Sequence, residues 1–249
     1  MIGIVPRSVE IRQRLGDADR FTASSDNHGG KPAPTTGAIH PGKSLKRYPK
    51  MKSMRLAGTL LLAFFVVTSA PWADEGVLSA DEIKYLNFMR EEEKLARDVY
   101  LVLYQEWGAE VFANIALSEQ QHTDAVRDLI DAYGLQDPVV NDSIGVFVAP
   151  ELAQLYETLV ERGRESIVEA LYVGALIEEV DMEDIQHAID VSDDNALLTV
   201  YDNLMRGSRN HLRAFVPAVE MLTGDQYEAQ YLDQETVDEI LSIGTETGG

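Results

Sequence analysis

The sequence predicts an all-α protein built around four long helices. Four stretches of roughly 25 residues carry apolar side chains at alternating spacings of three and four, the period of one buried helix face. None of them alternates with the period of two that is typical of a strand. Residues 134–149, rich in Gly, Pro, Asn and Asp, separate the second stretch from the third. This order predicts a four-helix bundle with a long crossover between helices 2 and 3.

Start and stop signals support these helices. Ser79 followed by Glu82 is typical of a capping box, Gly108 is typical of a helix end, and Ser192 to Asp194 predict the cap of the fourth long helix. Long helices are therefore predicted at 80–107, 109–133, 164–190 and 195–222, with a short helix at 150–161 and a C-terminal tail at 223–249 that has one apolar patch at 237–243.

Charge divides the chain into two unlike parts. Residues 1–55 hold 11 of the 21 Lys and Arg but only 4 of the 42 Asp and Glu, whereas the remainder carries a net charge of −28. Phosphate binding needs clustered Lys and Arg. The acidic part is therefore expected to avoid nucleic acid and anionic membranes.

Residues 51–73 have the pattern of a secretory signal peptide. Lys52 and Arg55 precede an apolar run at 56–67, and small residues follow up to Ala73. We therefore expect a periplasmic or extracellular protein without stable membrane association after cleavage, with an uncleaved anchor as the alternative.

The predicted signal peptide separates two further regions of the chain. Residues 1–50 show no apolar periodicity and are expected to be disordered, or to be a mis-called extension ahead of a start at Met51 or Met54. Residues 74–222 form the predicted bundle. The chain has no cysteine, so any metal in it must be held by Glu, Asp or His.

Metal-capable side chains interrupt the apolar stripe of every long helix. Burying a carboxylate is costly unless it is paired or bound to a cation. Residues three apart on a helix share a face, so a Glu-x-x-His pair can direct both tips at one point. The conjunction predicts a buried metal site rather than five unrelated polar residues. Its members are Glu93, Glu119, His122, Glu178 and His211.

Several blocks of sequence resemble a known family. The segment 93–100, EKLARDVY, is similar to the first-helix signature of rubrerythrin-type ferritin-like proteins. The blocks FMREEEKLARDVY (88–100), SEQQH (118–122), VGALIEE (173–179) and GSRNHLRAF (207–215) resemble a family of bacterial and archaeal ferritin-like domains of unknown function. The resemblance implies a ferritin-like bundle that binds iron or manganese, one or two ions per chain. It makes the same five residues the ligand positions.

The fourth long helix departs from the ferritin-like pattern. Ser208 stands three residues before His211, where the pattern has a Glu. A neutral hydroxyl is a poor ligand for a hard cation. Asp181 or Glu179 is therefore an additional ligand candidate. A single ion, or an asymmetric pair with an open coordination position, becomes as plausible as a symmetric di-iron centre.

Neighbouring side chains are given supporting roles. Tyr100, two turns after Glu93, is expected to hydrogen-bond a ligand carboxylate, or else to be a packed core residue. Glu91 and Glu92 lie off the stripe and are expected on the surface, and surface pairing is expected for Arg97, Arg209 and Arg213.

Three functions stay open on the sequence. The first is a metal-dependent oxidoreductase that reduces peroxide or oxidises iron(II) with oxygen, using an external reductant because cysteine ligands are absent. The second is a protein that binds or stores metal without turnover. The third is a metal-free bundle with a structural polar core. A homodimer is compatible with any of them.

Overall fold

The structure is a computed structural model that describes residues 77–247. The disordered or mis-called extension expected at 1–50 and the signal peptide expected at 51–73 lie outside these residues. Within 77–247 the protein is all-helical, which confirms the predicted class. None of the helices described is long and apolar enough to cross a membrane. The helices are α1 Ala80–Trp107, α2 Glu110–Ala132, α3 Pro150–Gly163, α4 Ile167–Val191, α5 Asn195–Thr223 and α6 Gln234–Ser242.

Local signals set the helix ends largely as predicted. The capping box at the start of α1 is present, with Ser79 Oγ accepting from the Glu82 N–H at 3.2 Å. Gly108 ends α1 with a φ of 66°, in the left-handed region that favours glycine. The third long helix begins three residues later than predicted, at Ile167. Its N-cap is Ser166, whose side chain accepts from the Glu169 N–H.

The four long helices pack in a closed order. The helices α1 and α2 lie together, as do α4 and α5, while α1 also contacts α4 and α2 also contacts α5. The short helix α3 packs against α1 and α4, and α6 packs against α5. Each long helix therefore has two long neighbours and directs one stripe into a shared interior.

The interior consists of two apolar clusters with a polar belt between them. One cluster includes Leu86, Val126 and Leu204, and the other includes Tyr100 and Phe112. Along α1, α2 and α5 the chain leaves one cluster, crosses the belt and enters the other. The buried residues of the belt are Glu93, Glu119, Glu178, Asp181, Ser208 and His211.

The prediction that three residues of α1 lie on the surface was wrong. Glu91, Glu92 and Arg97 are all buried. The connection between α2 and α3 folds back over this face of α1, so that Glu91 Oε1 accepts from the Val148 N–H at 2.6 Å. The Arg97 guanidinium pairs with Asp142 of the same connection at 2.7 Å. A helix face that looks solvated in sequence is thus covered by the long crossover.

The C-terminal tail also belongs to the core. Tyr227, Val237 and Ile240 are buried in the larger apolar cluster. Beyond α6, Glu246 lies 2.6 Å from the Arg209 guanidinium and 2.9 Å from that of Arg213. Both arginines are therefore paired, as expected, but the pairs are partly buried and do not lie fully on the surface.

Candidate metal centre

Glu119 lies at the middle of the polar belt, and its two carboxylate oxygens face different histidines. Its Oε2 lies 2.7 Å from His122 Nδ1, on the same helix. Its Oε1 lies 2.8 Å from His211 Nδ1, on α5. Only 2% of Glu119 is exposed to solvent. One buried carboxylate therefore joins two imidazoles.

Each imidazole also faces a second carboxylate. His122 Nδ1 lies 3.2 Å from Glu93 Oε2, on α1. His211 Nδ1 lies 3.3 Å from Glu178 Oε2, on α4. We call Glu93, Glu119 and His122 the N-terminal half-site, and Glu119, Glu178 and His211 the C-terminal half-site. In each half-site, one candidate ligand atom per residue lies within 4.8 Å of the other two.

The C-terminal half-site is supported by two hydroxyl groups. The Tyr100 hydroxyl donates to Glu178 Oε1 at 2.5 Å, in the arrangement expected for this tyrosine. Ser118 Oγ lies 2.9 Å from His211 Nε2. If Nε2 carries the proton and donates it to Ser118, the Nδ1 lone pair is left facing Glu119 and Glu178.

The N-terminal half-site has less hydrogen-bonded support. Glu93 Oε1 is buried and has no hydrogen-bond partner among the described residues. The ring of His122 packs against Gly207, where a Cβ atom would lie 2.4 Å from Cε1 and 2.5 Å from Nε2. Only glycine leaves room for this ring position. The His122 side chain is 13% exposed, so this half-site borders solvent.

Burial and mutual charge shift the pKa values of the two half-sites. Burial raises the pKa of Glu93 to about 7, against the opposing effect of His122. Burial also disfavours ionised Glu119, but the charges of His211 and His122 hold its pKa below the usual range. Burial lowers the pKa of His211, but Glu119 and Glu178 outweigh it and raise the value to about 10. Without a metal, protons neutralise the cluster.

The two additional ligand candidates lie in different places. Asp181 is buried in the belt, and the Ser208 hydroxyl donates to its Oδ2 at 2.5 Å. Glu179 points away from both half-sites. Its carboxylate accepts from the Tyr227 hydroxyl at 2.6 Å and from the Tyr231 N–H at 2.6 Å, and it fixes the C-terminal segment instead.

Sequence reasoning missed two residues of the centre. The contact between Ser118 and His211 joins residues far apart in the chain, and no periodicity within one helix reports it. Gly207 did leave a signal. Glycine inside a helix costs about 1 kcal/mol relative to alanine and often marks a close approach of another group.

Comparison with known proteins places the chain in a family. Residues 82–244 match an uncharacterized protein domain, DUF2202. The chain belongs to the DUF2202 family. The matched region runs from the first turn of α1 to just beyond α6, so it includes both half-sites and the C-terminal segment.

The chain is also similar to a relative with a solved structure. The chain is 51% identical over 171 residues to the uncharacterized protein MJ0754 of Methanocaldococcus jannaschii, covering 69% of this chain and 92% of the relative. The crystal structure of the hypothetical protein MJ0754 from Methanococcus jannaschii matches with a TM-score of 0.67 at 50% identity. That match covers 70% of this chain and 98% of the other.

Proposed function

We propose that this DUF2202 protein binds two divalent transition-metal ions, one in each half-site, with Glu119 shared between them. The observation that carries the proposal is the placement of the two Glu119 oxygens, each beside a different Nδ1 atom that also faces a terminal carboxylate. An isolated carboxylate in this interior would cost several kcal/mol. Two ions that share the Glu119 carboxylate would compensate the cost of burying these charges.

The donor set fits iron or manganese. Carboxylate oxygens suit manganese and other hard cations, while imidazole nitrogen suits iron, zinc and copper. The unpartnered Glu93 Oε1 supplies a further buried oxygen donor. The absence of a Cβ at Gly207 leaves space for the His122 ring to face the cluster. Glu93, Glu119 and His122 would hold one ion, and Glu178 and His211 would join Glu119 in holding the other.

Metal analysis of the full chain tests the proposal. Protein purified without chelator and then dialysed against iron(II) or manganese(II) should contain two ions per chain. Glu119→Ala and His122→Ala should reduce uptake, whereas Glu110→Gln changes an exposed carboxylate of α2 and should leave it unchanged. Absence of metal in the wild type, with unfolding unaffected by added metal, would contradict the proposal and favour a metal-free polar core.

An oxidoreductase is the second candidate function, and the partial exposure of His122 favours it because a small oxidant in solvent can contact this side chain. Bound iron(II) would supply one electron per ion, so a pair could reduce one hydrogen peroxide, with two protons, to two waters. Iron-loaded wild type should then consume one peroxide per two iron(II), and Glu119→Gln should not accelerate this reaction. Equal rates in both proteins would leave metal binding as the function.

We also propose that the helices have a ferritin-like arrangement and that the protein is exported. The order of four long helices, with one long connection between α2 and α3, supports a ferritin-like arrangement. The apolar run at 56–67 after basic residues supports export. Mass measurement of the mature N-terminus after expression in the native host tests export. A chain that retains residues 51–73 would contradict signal cleavage.

A further inference from the structure

Two buried carboxylate oxygens in the polar belt lack hydrogen-bond partners among the described residues. They are Glu93 Oε1, on α1, and Asp181 Oδ1, on α4. Glu93 and Asp181 are 1% and 6% exposed, so bulk solvent does not satisfy them. A buried oxygen without a partner costs about 1–3 kcal/mol, and more when it is charged. A cation bound between the two oxygens would satisfy both.

The other oxygen of Asp181 is already held in place. The Ser208 hydroxyl, fully buried on α5, donates to Asp181 Oδ2 at 2.5 Å. Ser208 stands three residues before His211, just as Glu119 stands three before His122. The position on α5 that could have carried a carboxylate instead carries a short hydroxyl that orients a carboxylate from α4.

Asp181 lies at the level of the half-sites, because its hydrogen-bond partner Ser208 is one turn before His211 on α5. Burial raises the pKa of Asp181 well above its usual range, and the nearby charges of Glu93, Glu178 and Glu119 raise it further, with Glu93 first among them. Asp181 also lies one turn after Glu178 on the same face of α4. Among the belt carboxylates of the described residues, Asp181 Oδ1 and Glu93 Oε1 are the oxygens without hydrogen-bond partners, which points to the N-terminal half-site.

We propose that Asp181 is a sixth ligand, binding through Oδ1 the ion of the N-terminal half-site, while Ser208 holds Oδ2. The proposal rests on the metal-binding function proposed above. It gives the N-terminal half-site three carboxylates and one imidazole, against two carboxylates and one imidazole in the C-terminal half-site. The expected ligand of the fuller set is a divalent cation that accepts mostly oxygen donors, such as manganese(II) or iron(II).

A buried water is the rival explanation of the unpartnered Asp181 oxygen. A cavity of about 20 Å³ lies between α1, α3 and α4, with Glu92 and Asp181 in its wall and apolar side chains around the rest. That volume is enough for one water molecule. The two explanations differ in what removal of the Asp181 charge does to metal binding.

Manganese(II) binding to the full chain separates them. Asp181→Asn keeps the shape of the side chain and should weaken binding of the N-terminal ion. The loss should exceed the factor of about 10–100 that is typical when an outer hydrogen-bond partner of a ligand is removed. The other ion should change little. Ser208→Ala keeps the Asp181 charge and should weaken the same ion by about 10-fold. Asp184→Asn, a buried acidic position one turn further along α4, is the matched control and should leave both ions unchanged.

Each outcome decides a different point. Two tightly bound ions in both wild type and Asp181→Asn would overturn the sixth-ligand assignment and leave the five-residue centre intact. Equal weakening of both ions, or the same loss in Asp184→Asn, would indicate a general charge effect and also overturn it. No binding by the wild type would instead refute the proposed function. If circular dichroism shows Asp181→Asn unfolded, Ser208→Ala decides, and unchanged binding there overturns the assignment.

Discussion

The two half-sites share Glu119 and have similar donors, yet they are held differently. In the C-terminal half-site, Tyr100 hydrogen-bonds Glu178 and Ser118 faces the far nitrogen of His211. In the N-terminal half-site, Glu93 Oε1 has no partner among the described residues, and His122 is positioned by the space over Gly207.

This difference concerns preorganisation. Side chains already fixed by hydrogen bonds lose less conformational freedom when they bind a ligand. The C-terminal half-site is therefore expected to bind its ion first and more tightly. We expect the N-terminal half-site to reach its full geometry only with an ion present, and its ion to be the more exchangeable one because His122 is partly exposed.

The largest expected effect comes from removing what the half-sites share. Glu119→Gln should abolish binding of both ions at micromolar manganese(II), because each half-site loses its central carboxylate. Glu93→Gln should remove only the N-terminal ion and leave one per chain. Stoichiometry by equilibrium dialysis checks both. If Glu119→Gln retained one tightly bound ion, the carboxylate would not be shared.

The pH dependence should also distinguish the half-sites. Each ion must displace an imidazolium proton, since the pKa of His211 is raised to about 10 and that of His122 is raised as well. Protons compete with metal, so each affinity should rise with pH, by about tenfold per unit for one displaced proton.

The N-terminal ion must displace a second proton at low pH, because the pKa of Glu93 is raised to about 7. Its affinity should therefore rise more steeply below pH 7 than above it, by about a further tenfold per unit for the Glu93 proton. Titration of manganese(II) between pH 6 and 8 measures both slopes. Equal slopes for the two ions across this range would show that Glu93 is not protonated at the lower pH.

Gly207→Ala should weaken only the N-terminal half-site. The new Cβ would lie 2.4 Å from His122 Cε1, so the imidazole must shift from its position beside Glu93 and Glu119. We expect about 10–100-fold weaker binding of the N-terminal ion, the range seen when the support of a metal ligand is removed. Calorimetric titration measures it. Weakening of the C-terminal ion alone would contradict the assignment of His122.

Ser118→Ala should weaken only the C-terminal half-site, by about 10-fold. The alanine leaves His211 Nε2 without its hydroxyl neighbour, so the tautomer with Nδ1 facing the carboxylates is less favoured. Ser118→Thr keeps the hydroxyl and serves as the control. Nitrogen-15 NMR of protein loaded with diamagnetic zinc(II), which replaces the Nδ1 proton, should show a shifted His211 Nε2 signal, a change that loss of packing alone would not produce. An unchanged spectrum would remove Ser118 from the site.

Helix periodicity was sufficient to predict that the five candidate ligands point into the same interior. Each is a polar residue on an otherwise apolar stripe, and the spacing of Glu119 and His122 follows directly from the helix turn. The caps of α1 were also readable, because Ser79 and Glu82 act on backbone groups a few residues away. Local chemistry thus predicted the helices and the inward faces.

Contacts between distant segments could not be predicted in this way. Glu91 and Arg97 have the spacing of surface residues, and they are buried only because the connection after α2 returns across α1. Glu179 was an additional ligand candidate next to Glu178 in sequence, yet the C-terminal segment supplies its hydrogen-bond donors. The residues of a helix show which of its faces is apolar. Segments far away in sequence decide which of its polar residues are also buried.

Electron paramagnetic resonance of the manganese(II)-loaded full chain tests the shared carboxylate most directly. Two manganese ions joined by one carboxylate are magnetically coupled, so the account predicts a coupled spectrum at two ions per chain. Glu178→Gln should give the simple six-line signal of a single ion. A six-line spectrum in the wild type at full loading, or no bound manganese at all, would contradict a two-ion centre built on Glu119.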